Sequence, residues 1–128
     1  MRLLLDTHVV LWELGGLRTV SPDARQAIEQ ATDLLFSVVS FAEIGVEASL
    51  GKLSVPDSLQ DHVRRSGVEV LQLTAAHCLA VAQLPVHHRD PFDRLLIAQA
   101  RAEQLRIVSA DRRFAAYDVP LVDTESRN

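Results

Sequence analysis

Short apolar runs that stop at an acid or small polar residue, each followed by a helical pattern, most constrain this fold. Arg2 to Leu5 reads as a buried strand and ends at Asp6; Leu34 to Val39 is a second such run. Val68 to Leu73 alternates as a third, Arg106 to Ser109 is a fourth and Val119 to Val122 a fifth. Helical patterns fill the gaps. His8 to Leu14 is apolar and stops at Gly15-Gly16, and Ser21-Pro22-Asp23 supplies a cap, a first-turn proline and an acid facing the helix dipole. Ser40 opens a helix that Gly51 ends, Pro56-Asp57 opens one that Gly67 closes, and Thr74 caps one that Pro85 breaks. Asp90-Pro91 caps the longest, with Leu95, Leu96, Ala98, Ala102 and Leu105 inside, and Arg112 to Tyr117 forms a short one. This alternation predicts an α/β fold: a mostly parallel central sheet of four to five strands with helices on both faces. At 128 residues there is room for one domain, 1–128, with a short tail from about residue 123.

Composition narrows the setting. Cys78 is the only cysteine, which excludes an internal disulfide or a cysteine-rich zinc site and fits a reducing compartment. No apolar stretch approaches the roughly 20 residues of a membrane span, and Asp6 interrupts the N-terminal run before a signal sequence can form. A cytoplasmic protein with no membrane partner is expected. The net charge of −4 speaks against nucleic acid at first sight, yet the basic residues are twelve arginines and one lysine, Lys52. Arginine's planar fork suits bidentate phosphate contacts.

In an open parallel sheet the site lies beyond the carboxyl ends of the strands. Asp6 follows the first strand directly, and Asp111 stands two residues past the fourth. Glu43 falls in the first turn of the helix after the second strand, and Asp90 and Asp93 in the first turn of the longest helix. Each has a plainer reading. Glu43 completes a capping box with Ser40, Asp90 is the natural cap before Pro91, Asp93 opposes a helix dipole, and Asp111 starts a turn or caps a short helix. Asp6 is hardest to explain so, because an apolar strand gains nothing from an acid at its buried end. Converging carboxylates raise one another's pKa unless a cation is present. Oxygen-only ligands favour magnesium or manganese over zinc, and such an ion acts best on a phosphodiester.

LDTHVVLW from Leu5, SFAEI from Ser40, HRDPFDRLLIAQA from His88 and SAD from Ser109 together resemble PIN-domain proteins, and more narrowly VapC-type toxins of toxin–antitoxin pairs. The similarity runs from Arg2 to about Val122 with its motifs in order. It implies an endoribonuclease dependent on Mg²⁺, with Mn²⁺ as substitute, and held inactive by a small cognate antitoxin. By motif, Asp6, Glu43, Asp93 and Asp111 correspond to the family's four metal-binding catalytic acids. Asp90, one turn before Asp93, shares or contests that role. The similarity also implies a homodimer, and early helices that bind the antitoxin: Trp12, Leu14, Leu17 and the Phe41 to Leu53 stretch, with core packing as the competing reading.

Without the four acids, acidic and basic residues are equal in number. Arg89, Arg94, Arg112 and Arg113 then stand near the site as candidates for RNA phosphates, with solvated helix charges as the plainer alternative. His8 and Ser109 are further candidate substrate contacts. His87-His88 reads as a loop, and His77 beside Cys78 lacks a third partner for a thiol nucleophile. A phosphoacceptor receiver would need a late lysine, and a haloacid-dehalogenase-like phosphatase an aspartate at position 8; neither is present. A PIN-like module that binds RNA or protein without cutting is the remaining alternative.

Overall fold

The computed structural model describes residues 1–15 and 20–125, with the side chains of 12–15 outside that description. Trp12, Leu14 and Leu17 therefore lie outside the described side chains. Five strands, β1 (Arg2–Leu5), β2 (Asp33–Ser37), β3 (Glu69–Leu71), β4 (Arg106–Ser109) and β5 (Leu121–Asp123), form one sheet in the order β3-β2-β1-β4-β5. Every neighbouring pair is parallel, with Leu4 of β1 opposite Leu35 on one side and Ile107 on the other.

Side chains of successive strand residues point to opposite faces, and the two cores follow that period. Leu4, Leu35 and Ile107 pack on one face with Leu96, Ile97 and Phe114. Leu3, Leu5, Phe36 and Val108 pack on the other with Val9, Val10, Ile44 and Val63. The helices are α1 (Thr7–Gly15), α2 (Pro22–Gln30), α3 (Val38–Ser49), α4 (Leu59–Arg65), α5 (Ala75–Ala80) and α6 (Pro91–Glu103). Two 3-10 turns, Val81–Gln83 and Arg112–Ala116, complete them. Asp90 caps α6 as expected, its Oδ1 accepting from the Phe92 and Asp93 amides.

The structure moves several expected boundaries, among them β3, which is Glu69–Leu71 rather than Val68 to Leu73, and β5, which is Leu121–Asp123 rather than Val119 to Val122. β2 ends at Ser37 rather than Val39, because the Ser37 hydroxyl accepts from the Val39 amide and caps α3, which starts at Val38, ahead of Ser40. Glu43 consequently lies in the second turn of α3, and the capping box with Ser40 does not form. α4 begins at Leu59, after Ser58 has turned the chain in a left-handed conformation (φ 63°), and not at Pro56. The chain also stays fastened past β5: the Thr124 amide donates to the Ser109 carbonyl, and the Thr124 carbonyl accepts from the Ser21 amide. No helix among the described residues is long and apolar enough to cross a membrane.

From β1 the chain steps one way to β2 and β3, then returns across β1 to add β4 and β5. The carboxyl ends of β1 and β4 thus meet where the winding direction reverses, the place an open parallel sheet leaves a crevice.

Candidate active site

Asp6 is the single residue between β1 and α1, and it is 7% exposed. Its Oδ1 accepts from the Thr7 amide at 2.7 Å and its Oδ2 from the Ser109 hydroxyl at 2.7 Å. Ser109 Oγ in turn accepts from the Asp111 amide at 2.9 Å, so one buried serine ties the acid after β1 to the acid after β4. Glu43 reaches the same place from α3. Its Oε1 lies 2.7 Å from the Thr7 hydroxyl, which lies 2.8 Å from the Ser40 hydroxyl. With one hydrogen on each hydroxyl, Thr7 donates to the carboxylate and accepts from Ser40.

Asp93, in the first turn of α6, is buried; its Oδ2 lies 3.3 Å from His88 Nε2 and 3.8 Å from Arg113 Nη2. Asp111 is more open and holds the Arg113 guanidinium in a fork, with contacts of 2.7 to 3.1 Å. Asp6, Glu43, Asp93 and Asp111 line one cavity of about 350 Å³, joined by His8, Asp90, Glu47 and Arg113.

Burial pushes the carboxyls of Asp6 and Glu43 above their ordinary range, against the hydrogen bonds from Ser109 and Thr7 that favour ionisation. Asp93 is pushed up to about 8, first by burial and then by Asp90, Asp6, Glu43 and Asp111 around it. The metal-free chain therefore holds a proton on Asp93 at neutral pH. Asp111 moves the other way, held down by its hydrogen bonds to Arg113. Burial, with the Arg113 charge, lowers His88 below the usual imidazole range.

Three acids forced toward their neutral forms are the signature of negative charge short of a counter-ion. The donors are all oxygens, which suits a hard divalent cation. Among the described residues no three His, Cys, Asp or Glu side chains are already closed into a ready-made metal cage. Hydroxyls brace Asp6 and Glu43 instead, while the Arg113 guanidinium on Asp111 and the proton on Asp93 are what a cation would have to displace.

The structure brings the four expected acids together but not all their expected companions. His8 lines the cavity. Arg94 does not: its guanidinium donates to the carbonyls of Pro85, Val81 and Leu84 and to the Tyr117 hydroxyl, which commits Nη1 and Nη2 to a loop outside the cavity lining. Arg112 is exposed, with Nε 3.9 Å from Asp123 at the end of β5. Ser109 is wholly buried against Asp6, so its hydroxyl braces the acid and is shut off from any substrate. The residues missed are Thr7, Glu47 and His88. Glu47 stands four residues after Glu43, on the same helix face, a spacing that is visible in sequence. Thr7 and His88 carry no such signal.

Comparison with known proteins identifies the family. Residues 3–120 match the family model of the PIN domain. Ribonuclease VapC22 of Mycobacterium tuberculosis is 32% identical over 124 residues, covering 91% of this chain and 92% of the relative. The fold is similar to VapBC2 of Rickettsia felis bound to a promoter DNA fragment (TM-score 0.71, 16% identity, 98% and 100% of the two chains covered). It is also similar to DNA-bound VapBC of Salmonella typhimurium (TM-score 0.69, 17% identity, 98% and 99% covered). Matched by the family model over residues 3–120 and 32% identical to a VapC ribonuclease over nearly its whole length, the chain belongs to the PIN domain family and to the VapC-like proteins within it.

Proposed function

We propose that this protein is a Mg²⁺- or Mn²⁺-dependent endoribonuclease and the toxin of a toxin–antitoxin pair. The observation that carries the reading is the convergence of Asp6, Glu43, Asp93 and Asp111 on one cavity, from four separate points of the chain, at the sheet's switch point. A relative named as a ribonuclease, 32% identical over nearly the whole chain, supplies the reaction class.

Asp6, Glu43, Asp93 and Asp111 would hold the ion. The chemistry it supplies when bound is neutralisation of charge on a phosphoryl oxygen and activation of water for attack on the phosphodiester. The chain's own part is positioning. Ser109 and the Thr7 amide fix both oxygens of Asp6, and Thr7 fixes Glu43, so these acids need little reorganisation when the cation arrives. Arg113 and His8, both lining the cavity, are the side chains placed to meet an RNA phosphate.

The partner reading rests on a second surface. A cavity of about 390 Å³ lies among α1, α2 and α4, lined by Leu5, Val9, Val10, Ile28 and Val63. It suits an apolar antitoxin segment, and the VapBC complexes of similar fold pair a VapC with a VapB. α3 adds exposed Val46 and Leu50, whereas Phe41 packs edge-on against Phe36. A homodimer in the cytoplasm completes the proposal.

The test is cleavage of mixed structured RNA by the purified protein with Mn²⁺, with EDTA, and by Asp6→Asn. Cutting that requires the metal and is lost in the variant supports the nuclease. A folded protein that binds Mn²⁺ and cuts nothing, including its own cell's total RNA, moves the chain to the non-cutting alternative.

A further inference from the structure

The loop before α6 carries two adjacent histidines, and the structure gives them different tasks. Both rings meet Tyr117 edge-on, with centroids 4.8 Å away for His87 and 5.4 Å for His88. Only His88 reaches the acidic site, with its Nε2 3.3 Å from Asp93 Oδ2 and both side chains about nine-tenths buried.

The Tyr117 oxygen decides which imidazole nitrogen carries hydrogen. It accepts from the His88 amide at 3.3 Å and from Arg94 Nη1 at 3.3 Å, which fills its two lone pairs. Its single hydrogen must then be donated, and of the two acceptors in reach, His88 Nδ1 at 3.2 Å and the His88 carbonyl at 3.4 Å, Nδ1 is the nearer. An accepting Nδ1 puts the hydrogen of a neutral imidazole on Nε2, the atom that faces Asp93. Arg94 holds this arrangement from behind, through the carbonyls of Val81 and Leu84, at the start of the Val81–Gln83 turn and just past it, and of Pro85.

We propose that His88 is a positioning residue for the cation site: oriented by Tyr117 and Arg94, it donates from Nε2 to Asp93 Oδ2 and fixes the carboxylate so that its other oxygen serves the metal. The proposal rests on the reading of Asp93 as a metal-binding acid. Partners of this kind, one bond removed from the metal, typically govern 10- to 100-fold in affinity, about the range expected here.

The experiment is Mn²⁺ titration of the full chain by calorimetry, with thermal unfolding as the fold control. His88→Ala is expected to weaken Mn²⁺ binding about 10- to 100-fold. His88→Gln, whose amide N–H can donate to Asp93, is expected to recover most of that loss, while His87→Ala leaves the affinity unchanged. A role in loop packing alone would not separate glutamine from alanine. A folded His88→Ala with wild-type affinity overturns the proposal, as does a His88→Gln no better than alanine. Should His88→Ala fail to fold, Tyr117→Phe decides. It keeps the ring and removes the hydroxyl, so weaker binding supports the relay and unchanged binding overturns it. A wild-type chain that binds no Mn²⁺ overturns the site reading itself, an outcome distinct from unchanged affinity in the variants.

Discussion

Two buried histidines in this protein each present Nε2 to a carboxylate, and only one of the pairs belongs to the site. His77 Nε2 lies 2.9 Å from Glu103, and His88 Nε2 lies 3.3 Å from Asp93. In both, Nδ1 accepts: from the Thr74 amide and Gln99 Nε2 in His77, and from the Tyr117 hydroxyl in His88. The difference lies in the carboxylates. Glu103 is 40% exposed, and water shares its charge, so the His77 network, which continues through buried Gln99 to Ser37, fastens α5 and α6 to the sheet. Asp93 is 10% exposed and faces four other acids. Identical pair chemistry is structural where the acid is already solvated, and poised for a ligand where the acid lacks a counter-ion.

The largest expected effect falls on the poised side. Asp6→Asn and Asp93→Asn should each lower RNA cleavage about a thousandfold or more while circular dichroism stays unchanged, since several kcal/mol of charge stabilisation are lost. Loss of the folded signal instead would place Asp93 with Glu103 as a structural acid.

Next is the pH dependence of the metal-free chain. The pKa of Asp93 is raised from the ordinary 3.8 to about 8, so the folded form binds that proton more tightly than the unfolded form. The stabilisation is complete below pH about 4, declines as pH rises, and is gone above about 8. Thermal unfolding in EDTA should therefore shift to lower temperature from pH 5 to pH 8, and Asp93→Asn should flatten the slope. A slope that survives in Asp93→Asn assigns it to other groups.

The structural side is broken by His77→Ala. It strands the Thr74 amide and the buried Gln99 amide, at a cost of about 1–3 kcal/mol by chemical denaturation, with Mn²⁺ affinity unchanged. A change in Mn²⁺ affinity would erase the distinction between the two histidines. Arg113→Ala removes the cation that Asp111 holds in the metal-free state. With that competitor gone, Mn²⁺ should bind about two- to fivefold more tightly at low salt, a modest gain because the guanidinium is exposed and screened. Tighter binding that persists at high salt would point to a steric effect rather than charge. Smallest is Glu103→Gln, expected to cost under about 1 kcal/mol and to leave metal binding alone.

The sequence disclosed the acids better than their surroundings. An acid at the end of an apolar strand, as at Asp6, or in a helix's first turn, as at Asp93, is placed by backbone geometry alone. Thus the parallel sheet and its edge of carboxylates were legible. Side-chain direction is set by tertiary neighbours. Arg94 is drawn from the site by carbonyls of a turn ten or more residues earlier, and Ser109 is consumed by an acid 103 positions away. His88 gave no sign, since its role needs Tyr117 brought back beside it from beyond β4. The start of α3 was misplaced because Ser37 and Ser40 are both competent caps, and the choice falls to strand pairing that ends with Ser37 opposite Leu71.

The tie from Ser109 to Asp6 also bears on the order in which the site can be assembled. Asp6 is made about a hundred residues before β4, which must lie beside β1 to complete its surroundings. Folding from the N-terminus can pair β1, β2 and β3 early, but a partial chain has no Ser109 brace, no Asp111 and no α6. The order of strands thus keeps the acidic site incomplete until α6 and β4 have both been made and have docked beside β1.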